Sequence, residues 1–162
     1  MSGLPPDVLR YFAAEKRESL LFLGIGLLSV ATAGVLWRTP FRGAAWPLIA
    51  LGLVELVVGS TIVLRTDGQV AELGRRVVED VAAARTEETA RMTRVMASFR
   101  IYKVVELALL TAGLALWMVF PRTAAAHWAG VGCAVEASLL LALDLVAARR
   151  GAAYLETIRR MG

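Results

Sequence analysis

Four stretches of this chain, 20–37, 46–64, 104–120 and 124–146, are almost wholly apolar. Each is long enough, as a helix, to cross about 30 Å of hydrocarbon. Lipid offers the backbone no hydrogen-bond partners, so stretches of this length must pair their own N–H and C=O groups as α-helices. The expected fold class is all-α, a polytopic membrane protein with four transmembrane helices. A hydrophobic content of 57% and a mean hydropathy of +0.61 over 162 residues exceed what one soluble core needs. Little chain remains for a separate soluble domain.

Charge orients the spans. Of 18 Lys and Arg, only Arg38, Arg42 and Arg122 lie in the short connections 38–45 and 121–123, and the other 15 lie in the N-terminal, central and C-terminal segments. The positive-inside rule then puts both termini and the central segment in the cytoplasm and the short loops outside. Trp37, Trp46, Trp117 and Trp128 all fall at the outer ends so defined, where interfacial aromatics belong. Ala31-Thr32-Ala33 has the form of a signal-peptidase site, but Glu15-Lys16-Arg17-Glu18 before the run is mixed in charge and apolar residues continue to Trp37. The first stretch is therefore read as a retained span.

Pro5-Pro6-Asp7 resembles a helix start with Asp7 as N-cap, and Val8, Leu9, Phe12 and Ala13 follow at helical spacing, which predicts a short interfacial helix before the first span. The segment 66–103 reads as a cytoplasmic amphipathic hairpin. One arm carries Val70, Leu73, Val77, Val78 and Val81, the other Met92, Val95, Met96 and Phe99. Glu72–Arg76 and Glu87–Arg91 are i,i+4 pairs in the favoured order. No Pro interrupts 88–120, so the second arm is expected to run unbroken into the third span.

The two halves also resemble each other. Glu18 opens the first span as Glu106 opens the third, Arg38-Thr39 precedes the second as Arg122-Thr123 precedes the fourth, and Trp46 leads to Glu55 as Trp128 leads to Glu136. This reads as two repeated hairpins related by an axis along the membrane normal. The stretches RTPFRGAAWPLIALGLVELVVG, LRTDGQV and FRIYKVVE resemble an uncharacterised group of bacterial four-helix inner-membrane proteins. The resemblance implies the same topology and a bacterial inner-membrane location, and carries no activity with it. Some small polytopic proteins of this build are immunity proteins against membrane-targeting toxins.

Chemistry concentrates in the acidic residues. Glu55 and Glu136 lie near the middle of their spans, and Glu18, Glu106 and Asp144 lie within about two turns of the inner surface. Gly52, Glu55 and Gly59 share one helix face, so Glu55 faces a close-packed neighbour, and Gly130, Ala134 and Ser138 form a small-residue stripe beside Glu136. Intramembrane carboxylates are costly unless protonated, paired or hydrated. Three roles fit: interhelical hydrogen bonding, a proton or cation site, or pairing with a basic group of another membrane chain. Only Lys103 and Arg65 supply nearby positive charge at the inner ends.

Enzymatic motifs are missing. The only histidine, His127, sits at the outer end of the fourth span beside Trp128, and Cys133 has no histidine at its depth. There is no phosphate loop, cysteine cluster, G-x-S-x-G or H-E-x-x-H. The basic residues alternate with glutamates against an anionic leaflet, which argues against nucleic-acid binding. The expectation is thus a non-enzymatic protein without a cofactor whose carboxylates bind or conduct protons or cations. Four thin helices leave no wide pore, so conduction calls for a homo-oligomer or a hydrated crevice. The alternative is an immunity or adaptor protein that binds a toxin or another membrane protein through Glu87, Glu88, Arg91 and Arg94.

Orientation is testable with single cysteines in a Cys133→Ser background. An impermeant thiol reagent on intact cells should label the 38–45 loop and leave the 66–103 segment unlabelled. Labelling of that segment from outside would invert every depth assigned above.

Overall fold

The computed structural model of the chain describes residues 4–160. Four helices follow one another: α1 (Pro6–Leu36), α2 (Ala45–Glu79), α3 (Val81–Val119) and α4 (Ala125–Arg159), with a 3-10 turn at Arg42–Ala44 before α2. No strand occurs among the described residues. Helices of 31 to 39 residues measure about 46–58 Å. All four therefore overshoot a hydrocarbon core of about 30 Å. Each contains a stretch apolar enough to cross a membrane.

Helix boundaries follow from local chemistry. Pro6 occupies the first turn of α1, where its missing N–H costs nothing. Between α2 and α3 a single residue, Asp80, turns extended, with φ −155° and ψ 104°. Its carboxylate accepts hydrogen bonds from the N–H groups of Ala82 and Ala83 at 2.8 and 3.0 Å, which starts α3. At the other end the Nε1–H of Trp128 donates to the carbonyl of Arg122 at 2.8 Å, and a ring nitrogen of His127 lies 3.0 Å from the carbonyl of Phe120. The α3–α4 connection is thereby pinned.

The closest pairings are α1 with α2 and α3 with α4. Helix α4 also packs on α1 and α2, while α1 and α3 meet only through side chains such as Tyr11 and Met92 among the described residues. Buried positions recur in steps of three and four, as in Phe12, Glu15, Ser19, Phe22, Gly26, Ser29 and Ala33 of α1 and Ala45, Leu48, Gly52, Glu55 and Gly59 of α2. That is the seam spacing of left-handed helix packing. Where the spans run, the closest approaches in the seam are made by small residues. A Cβ on Gly26 would stand 2.7 Å from the carbonyl oxygen of Gly52, and one on Gly113 would stand 2.7 Å from the Ala134 nitrogen and 2.9 Å from the Gly130 oxygen. Large apolar side chains point outward instead, with Leu64 82%, Met118 81% and Leu28 67% exposed. Small residues inside and large apolar ones outside mark a membrane protein, because lipid solvates leucine as well as a core does.

The hairpin end is built differently. Leu4, Val8, Tyr11 and Phe12 of the N-terminal region meet Leu73 of α2, Met92 of α3 and Tyr154 and Ile158 of α4 in one core. Several sequence expectations change here. The expected interfacial helix is simply the first turns of α1, with Pro5 at the N-cap and Asp7 in the first turn without a capping bond. Helices α1 and α4 contribute to this core alongside α2 and α3, so the feature is a four-helix extension of the bundle. Val78 and Val81, assigned to an apolar stripe, are 77% and 43% exposed because the chain turns at Asp80.

The glycine contacts predict a split among substitutions. Gly26→Val should destabilise the bundle by about 1–3 kcal/mol, since backbone faces the new methyls. Gly24→Ala, with nothing within 4 Å of its Cβ, should be neutral or stabilise by up to about 1 kcal/mol. Unfolding in mixed micelles measures both, and equal effects would refute the crossing as the point of closest approach.

Candidate functional site

The inward stripe of α4 carries Glu136, Asp144, Arg150 and Tyr154, and each meets partners from other helices. At the glycine crossing of α1 and α2, Glu55 is 0% exposed and Glu136 is 1% exposed. The Glu55 Cβ lies 3.1 Å from where a Cβ on Gly26 would stand, so the absence of a side chain there makes room for it. The two carboxyl groups interact electrostatically, and the Ser29 hydroxyl lies near Glu136. Neither oxygen of Glu55 has a hydrogen-bond partner, and Oε2 of Glu136 also lacks one.

About 12 Å further along α4, Asp144 lies beside Glu106 of α3, so the two carboxyl groups interact. Lys103 interacts with Glu106 from the preceding turn. Between these layers Phe22 and Leu140 are buried, so the two acidic pairs are separated by apolar side chains along α1 and α4. Below them Glu18 forms an ion pair with Arg150, and the Arg150 guanidinium also lies 5.4 Å from the centre of the Tyr11 ring. Glu18 is therefore paired within the chain, contrary to the sequence reading, which recognised only Lys103 and Arg65 as nearby cations.

At the hairpin end Tyr11 and Tyr154 stack with ring centroids 3.8 Å apart. The Tyr154 hydroxyl donates to Glu88 at 2.8 Å, and Arg91 donates to both oxygens of Glu88 at 2.7 and 2.6 Å. The Tyr11 hydroxyl donates to Glu15 at 3.4 Å. Burial, and then the nearby Glu15, raise the ionisation of Tyr11 well above the ordinary tyrosine range; burial, and then Glu88, do the same for Tyr154. Outside this core, hydrogen bonds from Arg75 and then Arg76 hold the exposed Glu72 carboxyl down to about 2.

These contacts revise the residues assigned to partner recognition. Glu88 is buried, 7% exposed, and serves the core. The Glu87–Arg91 pair does not form: Arg91 goes to Glu88, while Glu87 pairs across the two arms with Arg76. Glu87 and Arg94 remain exposed. The sequence reading missed Ser29, Glu15, Arg150 and the tyrosine pair. A signal existed, since Ser29 and Glu15 occupy the three-four seam of α1. Cys133 packs with its thiol 3.4 Å from the Leu109 carbonyl. No group of three His, Cys, Asp or Glu is placed to hold a metal ion among the described residues. No family model, curated protein or solved structure matches the chain.

The tyrosine pair generates a pH prediction. Below about pH 10 the tyrosines are protonated in both folded and unfolded chains; above it the unfolded chain ionises first, so stability should fall as pH rises. Replacing both with Phe should cost about 1–3 kcal/mol at neutral pH and flatten that alkaline decline. Unfolding measured against pH, with tyrosinate absorbance as a monitor, checks both; equal slopes in the two proteins would exclude the pair as its source.

Proposed function

We propose that this chain is a non-enzymatic, multi-pass protein of the bacterial inner membrane that binds protons or cations at Glu55 and Glu136 and passes them toward Glu106 and Asp144. One observation carries the reading: Glu55 is fully enclosed at mid-span with both oxygens unpartnered. A bare carboxylate is too costly there, so Glu55 holds a proton or a cation. A hydrogen bond would have sufficed for a purely structural glutamate, and neither oxygen of Glu55 makes one. Asp144 and Glu106 form the second station, and Glu18 with Arg150 closes the route where the spans meet the hairpin end.

In this reading both termini and the hairpin end are cytoplasmic, supported by the distribution of Lys and Arg. The two antiparallel pairs α1–α2 and α3–α4, each crossing at glycines, support descent from a duplicated hairpin. Movement of ions across the apolar layer of Phe22 and Leu140 requires hydration or rearrangement, which a homo-oligomer can supply. The second reading, an immunity or adaptor protein, rests on fewer free charges, because Glu87, Glu88 and Arg91 are engaged within the chain.

Two substitutions at one position separate the roles. Glu55→Gln retains shape and hydrogen bonding but cannot exchange a proton, and Glu55→Leu removes the polar group. Both should remain folded and both should abolish pH-driven or cation-driven flux in proteoliposomes. A structural glutamate would instead leave Gln active and make Leu neutral or costly by about 1 kcal/mol. Wild-type vesicles with no flux above empty ones, at either polarity and with several cations, would reject the ion reading.

A further inference from the structure

Between α2 and α3 at the hairpin end lies an open groove of about 640 Å³ that the carboxylate route does not use. Its lining includes Arg65, Gln69 and Arg76 from α2, Glu88, Arg91 and Arg94 from α3, and an apolar patch of Phe12 and Leu73. The groove exists because α2 and α3 pack sparsely on each other, and because Gly68 has nothing within 4 Å of where its Cβ would stand.

Its charges are not balanced internally. Glu72 is neutralised by Arg75 and Arg76, Glu87 by Arg76, and Glu88 by Arg91. Arg65 and Arg94, on opposite walls, have no ion pair or side-chain hydrogen bond among the described residues. Gln69 adds a buried side-chain oxygen without a partner. Two free guanidinium groups with an unpaired acceptor fit an anion that also carries a donor.

Position narrows the class. Arg65 directly follows the apolar stretch 46–64 of α2, so the groove begins at the edge of the hydrocarbon. Guanidinium groups bind phosphate through paired N–H donors, and basic pockets between helices at the membrane surface suit anionic lipid headgroups. We propose that this groove binds the phosphate of an anionic phospholipid, with Arg65 and Arg94 on the phosphate and Gln69 on a headgroup hydroxyl. The neighbouring Phe12 and Leu73 shield the polar contacts from water. This site is independent of the ion reading.

The test uses the full chain in detergent, with retention of phosphatidylglycerol, phosphatidylcholine or glycerol phosphate read by native mass spectrometry. Phosphatidylglycerol should be retained in preference to phosphatidylcholine. Arg65→Gln with Arg94→Gln should weaken that retention by tenfold or more, while Arg149→Gln with Arg159→Gln, which removes the same charge from exposed sites, should not. Equal loss in the two double variants, or equal retention of the two lipids, would overturn the proposal. Binding of glycerol phosphate without the lipid would overturn the lipid assignment.

Discussion

The close approach of helix backbones at Gly26–Gly52 and Gly113–Gly130 is the constraint on which the rest of the bundle depends. In lipid there is no hydrophobic force between helices, so association relies on packing and on polar contacts. Glycines supply the first by letting backbones touch. They also create the second, because a missing side chain at Gly26 leaves the space that Glu55 fills. Tight packing and the buried carboxylate are two results of one substitution pattern.

The same four rods use another cement outside the spans. There Val8, Phe12, Leu73, Met92 and Ile158 are buried as in any water-soluble bundle, and water drives them together. Between the two regimes sit the groups that belong to neither: Glu18 with Arg150 and Glu106 with Asp144. An interior that changes from small and polar to large and apolar along its length places its charged groups near the transition. That ordering gives each acidic pair a distinct depth without any change of fold.

Much of this was legible in the sequence because bilayer thickness forces a residue count. The four spans and the inward face of Glu55 follow from run length and from Gly52 and Gly59 at helical spacing. Other features were not legible. Arg150 reaches Glu18 only because α1 and α4 run antiparallel in one particular register, which no local pattern encodes. The residues 8–13 read as a short interfacial helix and the end of α4 carried no reading of its own, and only their meeting reveals a core. Glu88 looked like a solvated charge because its neighbours in sequence are polar, whereas in space it is covered by Tyr154 of α4.

Helix α4 touches all three of the other helices and has no break between Ala125 and Arg159. Its inward side chains therefore share one register. A screw displacement of α4 by one turn, about 5.4 Å along its axis, would shift Glu136 away from Ser29, Asp144 from Glu106, Arg150 from Glu18 and Tyr154 from Tyr11 in a single stroke. The register of one helix, like the thread of a bolt, thus sets the mid-span contacts and those at the far end together.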